Sequence, residues 1–517
     1  MENPFISILT PVFNPPLEAF NHCIKSVLSQ SFSNWEWCIV DDAGPNSHLT
    51  ATLASLAESD PRVKLHIRPS NGGIVSASND AANMATAEFI CLLDHDDELH
   101  PDALQRIFEK TLEVPTVDYL YTDEDKIDRN GNHYDAFLKP DWSPERLRGQ
   151  NYCCHLSVIR NSLFKKVGGF RDGFEGSQDY DLILRITEVA RSIVHIPEIL
   201  YHWRSIEGST AASIDEKPYA FTAAKRAVSE HLSRVGIDGV VLDAGFGFHR
   251  VVRSLPTHPL VSIVIPTRGD SKIIFGELVS LPLLAIRSIL QKSTYNNLEI
   301  ILVADTETPD EVLNSISELG QSRVKIVPYD KKFNFSDKCN IGVLASRGDV
   351  VLLLNDDTSI ISDDWIETML GHALEPDVGL VGPMLLLEDS RIQSACHSNT
   401  LSPHNFRNGY SSNEPGEFGV LAIARECSGV TGAAMMLRRD VYIEAGGMSL
   451  TFPNCFNDVD FAFKLLDLGY RIIWTPHARL YHFESATRDS AVTPPEYDLL
   501  LSRWGRKFDN DNFCRLN

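Results

Sequence analysis

Several things are scarce in this chain, and each scarcity removes a class of protein. No stretch approaches the ~18 consecutive apolar residues of a membrane-spanning helix, so a helical membrane protein is not expected. Ten cysteines are spread over 517 residues without a single CxxC pair, and only Cys153 and Cys154 are neighbours. That usage suits reduced, buried thiols in a cytosolic protein, not a disulfide framework or a zinc site. Positive charge is short: 47 Lys+Arg against 70 Asp+Glu leaves a net charge of −23. Overall charge therefore disfavours nucleic acid as a partner, and an anionic substrate would need a cation or local basic residues. Residues 1–5 carry no basic segment, and Ile6 onward already reads as a strand, so no signal peptide is expected. What is present is ordinary for a globular chain, with 43% hydrophobic and 23% charged residues. The length is more than one domain needs.

The most informative stretch is a short apolar strand that ends in acids, and it occurs twice. Phe89–Leu93 runs into Asp94-His95-Asp96-Asp97, and Val350–Leu354 runs into Asn355-Asp356-Asp357. Five consecutive apolar residues suit a strand buried on both faces, as in a parallel sheet. Such a strand delivers its next residues to the carboxyl edge of the sheet, where open α/β folds bind ligands. Clustered carboxylates repel one another unless a cation sits among them, and oxygen ligands of this kind suit Mg²⁺ or Mn²⁺. The alternative is a solvated acidic turn before a helix start at Pro101-Asp102. Two copies in matching contexts favour the metal–diphosphate reading.

Around these strands the whole order of elements repeats. Ile6–Pro11 is echoed by Val261–Pro266, and Trp35–Asp42 by Leu298–Asp305. Asn79 matches Asn340, Asp96 matches Asp357, and Val167–Phe170 is echoed by Ala445–Met448. Gln178–Leu182 is echoed by Asn457–Phe461, and Leu200-Tyr201-His202 by Leu480-Tyr481-His482. The period is about 260 residues, far above that of a solenoid repeat, so each copy is a whole domain. Strands alternating with helices predict right-handed crossovers and a mostly parallel sheet in each. The expected fold class is α/β with two tandem domains, 1–207 and 259–517. A segment at 208–258 joins them, with a helix over Pro218–Val235. Residues near Ser271–Ser280 read as an insertion in the second copy.

Beyond the acid-ended strands, Asp41-Asp42 and Asp305 follow strands and suit hydrogen bonds from a base N–H or ribose hydroxyls. Aspartate before Ala-Gly is equally a turn former. Asp179 and Asp458 precede amphipathic helices, where aspartate is a good N-cap. The same residues suit a general base taking a proton from an attacking hydroxyl. His202 and His482 end strands and are candidates to close the site as metal ligands, or are structural. Asn71, Asn79, Asn334 and Asn340 line a nucleotide pocket or serve turns and caps.

Assembled, this pattern resembles the inverting family 2 glycosyltransferases, twice over nearly the whole chain. The residues carrying it are Ser7–Asn14, Val40–Asp42, Asn71–Gly73, Asp94–Asp97, Val167–Phe170, Asp179/Asp181 and Tyr201-His202. In the second copy they are Val261–Pro266, Asp305, Asn355–Asp357, Gly446-Gly447, Asp458/Asp460 and His482. The resemblance implies two tandem GT-A domains of the kind found in bacterial surface-polysaccharide or O-antigen assembly. It implies a nucleoside-diphosphate sugar donor, a glycan or lipid-linked oligosaccharide acceptor, and Mn²⁺ or Mg²⁺. It places metal binding on Asp94, Asp96, Asp357, His202 and His482, and the catalytic base on Asp179 and Asp458. Pro11, Asn14, Asp41, Asp42, Asn71, Asn79, Asp94, Pro266, Asp305, Asn340, Asn355 and Asp356 fall at its nucleotide-sugar pocket. Cytoplasmic location, with peripheral contact at the inner face of the plasma membrane, follows from the family's lipid-linked acceptors. The second copy departs from the pattern, with neutral Asn355 in the place of Asp94 and Asp305 alone in the place of the Asp41-Asp42 pair.

Three alternatives compete with a bifunctional transferase. One domain works while the other binds or positions acceptor; or the chain is a sugar nucleotidyltransferase; or it is a non-catalytic glycan-binding module. A nucleotidyltransferase usually carries a Gly-rich basic phosphate loop, of which Pro11–Asn14 and Pro266–Gly269 are poor versions. A binding module has no reason to keep paired acids at strand ends in both halves.

Overall fold

The computed structural model describes residues 3–205, 218–399, 403–483, 494–508 and 511–515. The chain divides into two compact units. One comprises residues up to Trp142 together with Gln150–Ile237; the other comprises Ser143–Gly149 and Asp238–Arg515. Of the segment expected to join the copies, 208–217 lie outside the described residues. The rest is a helix, Pro218–Arg234, followed by a hairpin of Gly239–Gly245 and Phe248–Arg253.

In the first unit β1 (Ile6–Val12), β2 (Trp35–Asp41), β3 (Val63–Ile67) and β4 (Phe89–Leu92) are parallel and stand in the order 3-2-1-4. Helices Leu17–Leu28, Ser47–Ser59 and Gly73–Met84 make the crossovers. The rest of the sheet is mixed. It adds β5 (Glu98–Leu99), β6 (Tyr119–Ile127), β7 (His133–Phe137), β8 (Ser157–Arg160) and β9 (Ile193–Arg204). β8 runs antiparallel to β4 and β6, while β6 and β9 are parallel. The apolar runs predicted to be buried on both faces are so: Ile6, Ile8, Trp37, Ile39, Phe89 and Cys91 all lie in one core.

The second unit repeats this order. Val324–Tyr329, Leu298–Asp305, Val261–Thr267 and Val350–Leu354 form the parallel half, and Ala434–Arg438, Val378–Leu386, Arg471–His482 and Thr358–Ile360 complete the mixed half. The duplication extends to buried polar bonds. Ser7 Oγ donates to Glu36 at 2.6 Å and accepts Ala87 N; Ser262 Oγ donates to Glu299 at 2.7 Å and accepts Gly348 N. A buried hydroxyl–carboxylate pair left half-made costs about 1–3 kcal/mol, so both halves stay satisfied together. The insertion at Ser271–Ser280 is a two-stranded hairpin, Ser271–Ile274 with Glu277–Ser280.

One turn is built alike in both units and reassigns two residues expected at the nucleotide pocket. Helices Asn161–Val167 and Arg439–Glu444 are each followed by a Gly-Gly pair at positive φ. Asn79 Nδ2 donates to Phe170 O and its Oδ1 accepts Phe170 N. Asn340 makes the same two bonds with Met448, and also accepts Tyr442 OH. A Cβ on Gly169 or Gly447 would come within 2.7 or 2.6 Å of that asparagine's Oδ1. Asn79 and Asn340 therefore brace a turn, using their amide on backbone groups that would otherwise be orphaned.

Candidate active site

In the second unit the acid-ended strand, the strand after Leu298 and the helix Asn457–Asp467 converge on one cleft of about 830 Å³. Pro266, Asp305, Asn355, Asp356, Asp357, Asp458 and His482 all line it. Asp305 Oδ1 is 2.6 Å from Lys338 Nζ, which also donates to Thr267 O and lines the same cleft. Asp356 accepts Thr267 Oγ1 at 2.6 Å; burial, then the charge of Asp357, pushes its carboxyl up to about 7. Burial pushes Asp357 up as well, but the charge and hydrogen bond of the His482 ring, a backbone hydrogen bond and the charge of Lys272 together outweigh it, and the carboxyl lies below its usual value. His482 Nε2 is 3.3 Å from Asp357 Oδ1 and 3.4 Å from Asn355 Nδ2, while Nδ1 is 3.3 Å from Gln393 Oε1.

The helix start explains why only one acid of each pair reaches its site. Residues two apart on a helix diverge by about 200°. Asp458 faces the cleft and accepts Gly432 N at 2.8 Å, with His397 Nε2 at 3.7 Å. Asp460 points the other way, into Arg503, Trp504 and Lys464.

The first unit gathers the same parts differently. Asp94 lies beside His155, with Asp94 Oδ2 at 3.9 Å from Nε2. Asp97 is buried between Tyr201 OH and Arg204 N at 2.5 and 2.7 Å; burial, then the charges of Asp96 and Asp94, pushes its carboxyl well up. Asp179 Oδ2 accepts Asn151 Nδ2 at 3.0 Å and the Cys154 thiol at 3.5 Å. Burial raises Cys154 to about 11, so the thiol keeps its proton and donates. Asp181 turns away into Arg171 and Arg185. Asp94, Cys154, His155 and Asp179 are thus one contiguous set, and Cys154 and His155 were not singled out from the sequence. The Cys153-Cys154 doublet was the visible sign.

Other expected residues have the following surroundings. Asp41 is the turn former, accepting Gly44 N and Thr50 Oγ1. Asp42 is buried and accepts Arg68 Nη1, Gly72 N and Gly73 N, so it anchors the helix Gly73–Met84. Asn71 accepts Gly73 N in the same turn. Asn14 is exposed at a positive φ of 47°, and the Pro11 carbonyl holds His95 Nδ1 at 3.1 Å. His202 does not join the acids: its Nδ1 is 2.6 Å from Asp125 Oδ1, and its ring meets His133. The reason is register, since successive side chains on a strand point to opposite faces. Leu99 pairs with Tyr201 while Ile360 pairs with Leu480, so His482 corresponds to Trp203, one residue beyond His202.

Among the described residues three groups bring carboxylate and imidazole donor atoms within 4.8 Å of one another: Asp94, Asp97 and His155; Asp125, His133 and His202; and Glu145, His372 and Glu375. The first stands at the acid-ended strand. In the second unit Asn355 Oδ1 is buried without a hydrogen-bond partner among the described residues, and the buried Asp357 Oδ1 faces His482 Nε2. Carboxylate and amide oxygens suit a hard divalent cation, and imidazole is a ligand shared with softer ones. No helix among the described residues is long and apolar enough to cross a membrane.

Two α/β units, each carrying strand-end acids and a helix-borne aspartate, have the architecture of the GT-A type. The chain belongs to glycosyl transferase family 2, whose family model matches residues 7–168 and 262–446. It is 37% identical to an uncharacterized protein of Sinorhizobium fredii over 97% of this chain and 56% of that protein. It is 33% identical to the O-antigen biosynthesis protein RfbC of Myxococcus xanthus over 96% of this chain and 39% of that protein. The chain thus spans about half or less of the length of these curated relatives. Among solved structures, S. aureus TarS 1-349 in complex with UDP-GlcNAc is similar at 18% identity and a TM-score of 0.37, over 44% of this chain and 66% of that one.

Proposed function

We propose that the chain is a bifunctional inverting glycosyltransferase of surface-polysaccharide assembly, each unit moving a sugar from a nucleoside-diphosphate donor to a hydroxyl of a growing glycan. The observation that carries this reading is the single cleft holding Asp305, Asn355, Asp357, His482 and Asp458. Asp305 with Lys338 forms the nucleoside end of the pocket. Asn355, Asp357 and His482 would hold Mn²⁺ or Mg²⁺, which when bound neutralises the departing diphosphate. Asp458 accepts the proton of the attacking hydroxyl on the opposite face of the sugar, so one displacement inverts the anomeric centre, the geometry of acid and base in inverting glycosidases. Asp179 takes that role in the first unit.

The finer assignments follow from the same chemistry. The acceptor is a glycan or a lipid-linked oligosaccharide, and the chain meets the membrane surface through that lipid; flotation with vesicles bearing such acceptors tests it. A second reading, in which one unit only positions the acceptor, is favoured by neutral Asn355 in the place of Asp94. A panel of nucleoside-diphosphate sugars, assayed with Mn²⁺ for transfer and for thermal stabilisation, decides. Two donor-dependent transfers support the bifunctional enzyme. Binding of every nucleotide without turnover would sink both readings.

A further inference from the structure

The two units differ at two positions that change together. Counting back along the strands in which Arg160 opposes Phe89 and Arg438 opposes Val350, His155 of the first unit corresponds to Ala433 of the second. Trp203 corresponds to His482 by the pairing of Leu99 with Tyr201 and of Ile360 with Leu480. The second unit therefore has a histidine at the strand end and a small residue in the loop. The first has a histidine in the loop and a tryptophan at the strand end.

We propose that His155, and not His202, completes the divalent-metal site of the first unit. This rests on the metal-dependent transferase reading above. The His155 ring stacks on Tyr201, with centroids 4.7 Å apart and planes 11° apart, and its centroid is 5.5 Å from that of Trp203. That packing puts Nε2 3.5 Å from the Cys154 sulfur and 3.9 Å from Asp94 Oδ2, and Nδ1 3.4 Å from Glu124 Oε2. Glu124 is itself fixed by the buried Lys139, whose Nζ donates to it at 2.9 Å. A carboxylate behind one ring nitrogen, with the other turned to the metal, is how metal-bound histidines are oriented. His482 has the same polarity in the second unit, with Nε2 at Asp357 Oδ1 and Nδ1 at Gln393 Oε1, both at 3.3 Å. His202 lies on the other face of its strand, bound to Asp125 and gathered with His133 in a separate group, with no such relation to Asp94.

The test is Mn²⁺ binding to the full chain, read by electron paramagnetic resonance with spin-echo detection of imidazole nitrogen. The His482→Gln chain isolates the first unit's ion. There, adding His155→Gln is expected to remove the remaining nitrogen coupling and to weaken Mn²⁺ affinity at least about tenfold, whereas adding His202→Gln leaves both unchanged. In the wild-type chain, which needs no substitution to fold, titration with diamagnetic Mg²⁺ shifts the ring-nitrogen resonances of His155 well beyond those of His202. Coupling that survives His155→Gln, or is lost with His202→Gln, overturns the assignment alone. A wild-type chain that takes up no Mn²⁺ overturns the metal reading and the assignment with it.

Discussion

Gly432 donates its backbone N–H to Asp458 Oδ2 at 2.8 Å, while Asp179, the corresponding aspartate, is held by the Asn151 amide and the Cys154 thiol. Both devices fix a carboxylate at a helix start by hydrogen bonds to its charged form. One uses backbone and the other side chains.

That difference makes the two proposed bases separable. Asp458→Asn is expected to lower one transfer about 10²–10⁴-fold and leave the other intact, and Asp179→Asn to do the reverse. Chromatography of products from donor-by-donor reactions measures it. If each substitution lowers both transfers equally, the chain has a single working site.

Chelation should release donor nucleotide from the second unit. Asn355 Oδ1 is buried with no hydrogen-bond partner among the described residues, and Asp357 Oδ1 faces the His482 ring at 3.3 Å, so a cation is expected to bridge them to a diphosphate. Nucleoside-diphosphate affinity measured by calorimetry is expected to fall at least about tenfold in EDTA and to return with Mn²⁺. Asp357→Asn should weaken the Mn²⁺-dependent part alone.

The asparagines that brace the Gly-Gly turns should matter for stability and not for substrate. Asn340→Ala leaves Met448 N and O without their partner, at a cost of about 1–3 kcal/mol. Urea midpoints are expected to drop for Asn340→Ala and Asn79→Ala alike, with KM for the donor unchanged in the folded enzyme. A raised KM with an unchanged midpoint would return these residues to the nucleotide pocket.

Acid should destabilise the second unit through His372. Burial, then the charge of Arg253, holds this imidazole down at about 3, against the opposing pull of Glu145 and with Arg471 and His477 adding to the lowering. The unfolded state takes up the proton near pH 6.5 while the folded state refuses it, so stability is full above pH 6.5 and is lost as pH falls from 6.5 towards 3. The loss is about 2 kcal/mol by pH 5. Urea unfolding at pH 7 and pH 5 should show it, and His372→Leu should flatten the dependence. An unchanged slope in that variant would clear His372 of the effect.

Much of this was legible in the chain. The apolar strands ending in acids were visible because a strand buried on both faces needs an unbroken apolar run, and the matching copies located the duplication without any coordinates. The helix expected over Pro218–Val235 spans Pro218–Arg234. The letters do not report pairing: Leu200-Tyr201-His202 and Leu480-Tyr481-His482 match letter for letter, yet the strands pair one residue out of step. Nor do they report that Asn79 and Asp42 hydrogen-bond turn backbone.

By itself, then, the order of residues determined two α/β units, strand-end carboxylates at the sheet edge and a further acid at a helix start, because these depend on local periodicity and composition. Which side chains meet was decided only by tertiary structure. A one-residue shift in strand pairing sends a side chain to the opposite face, and nothing within a strand's own sequence reports it. For that reason His482 reaches its acids, His202 turns to Asp125, and the loop histidine His155 stands beside Asp94.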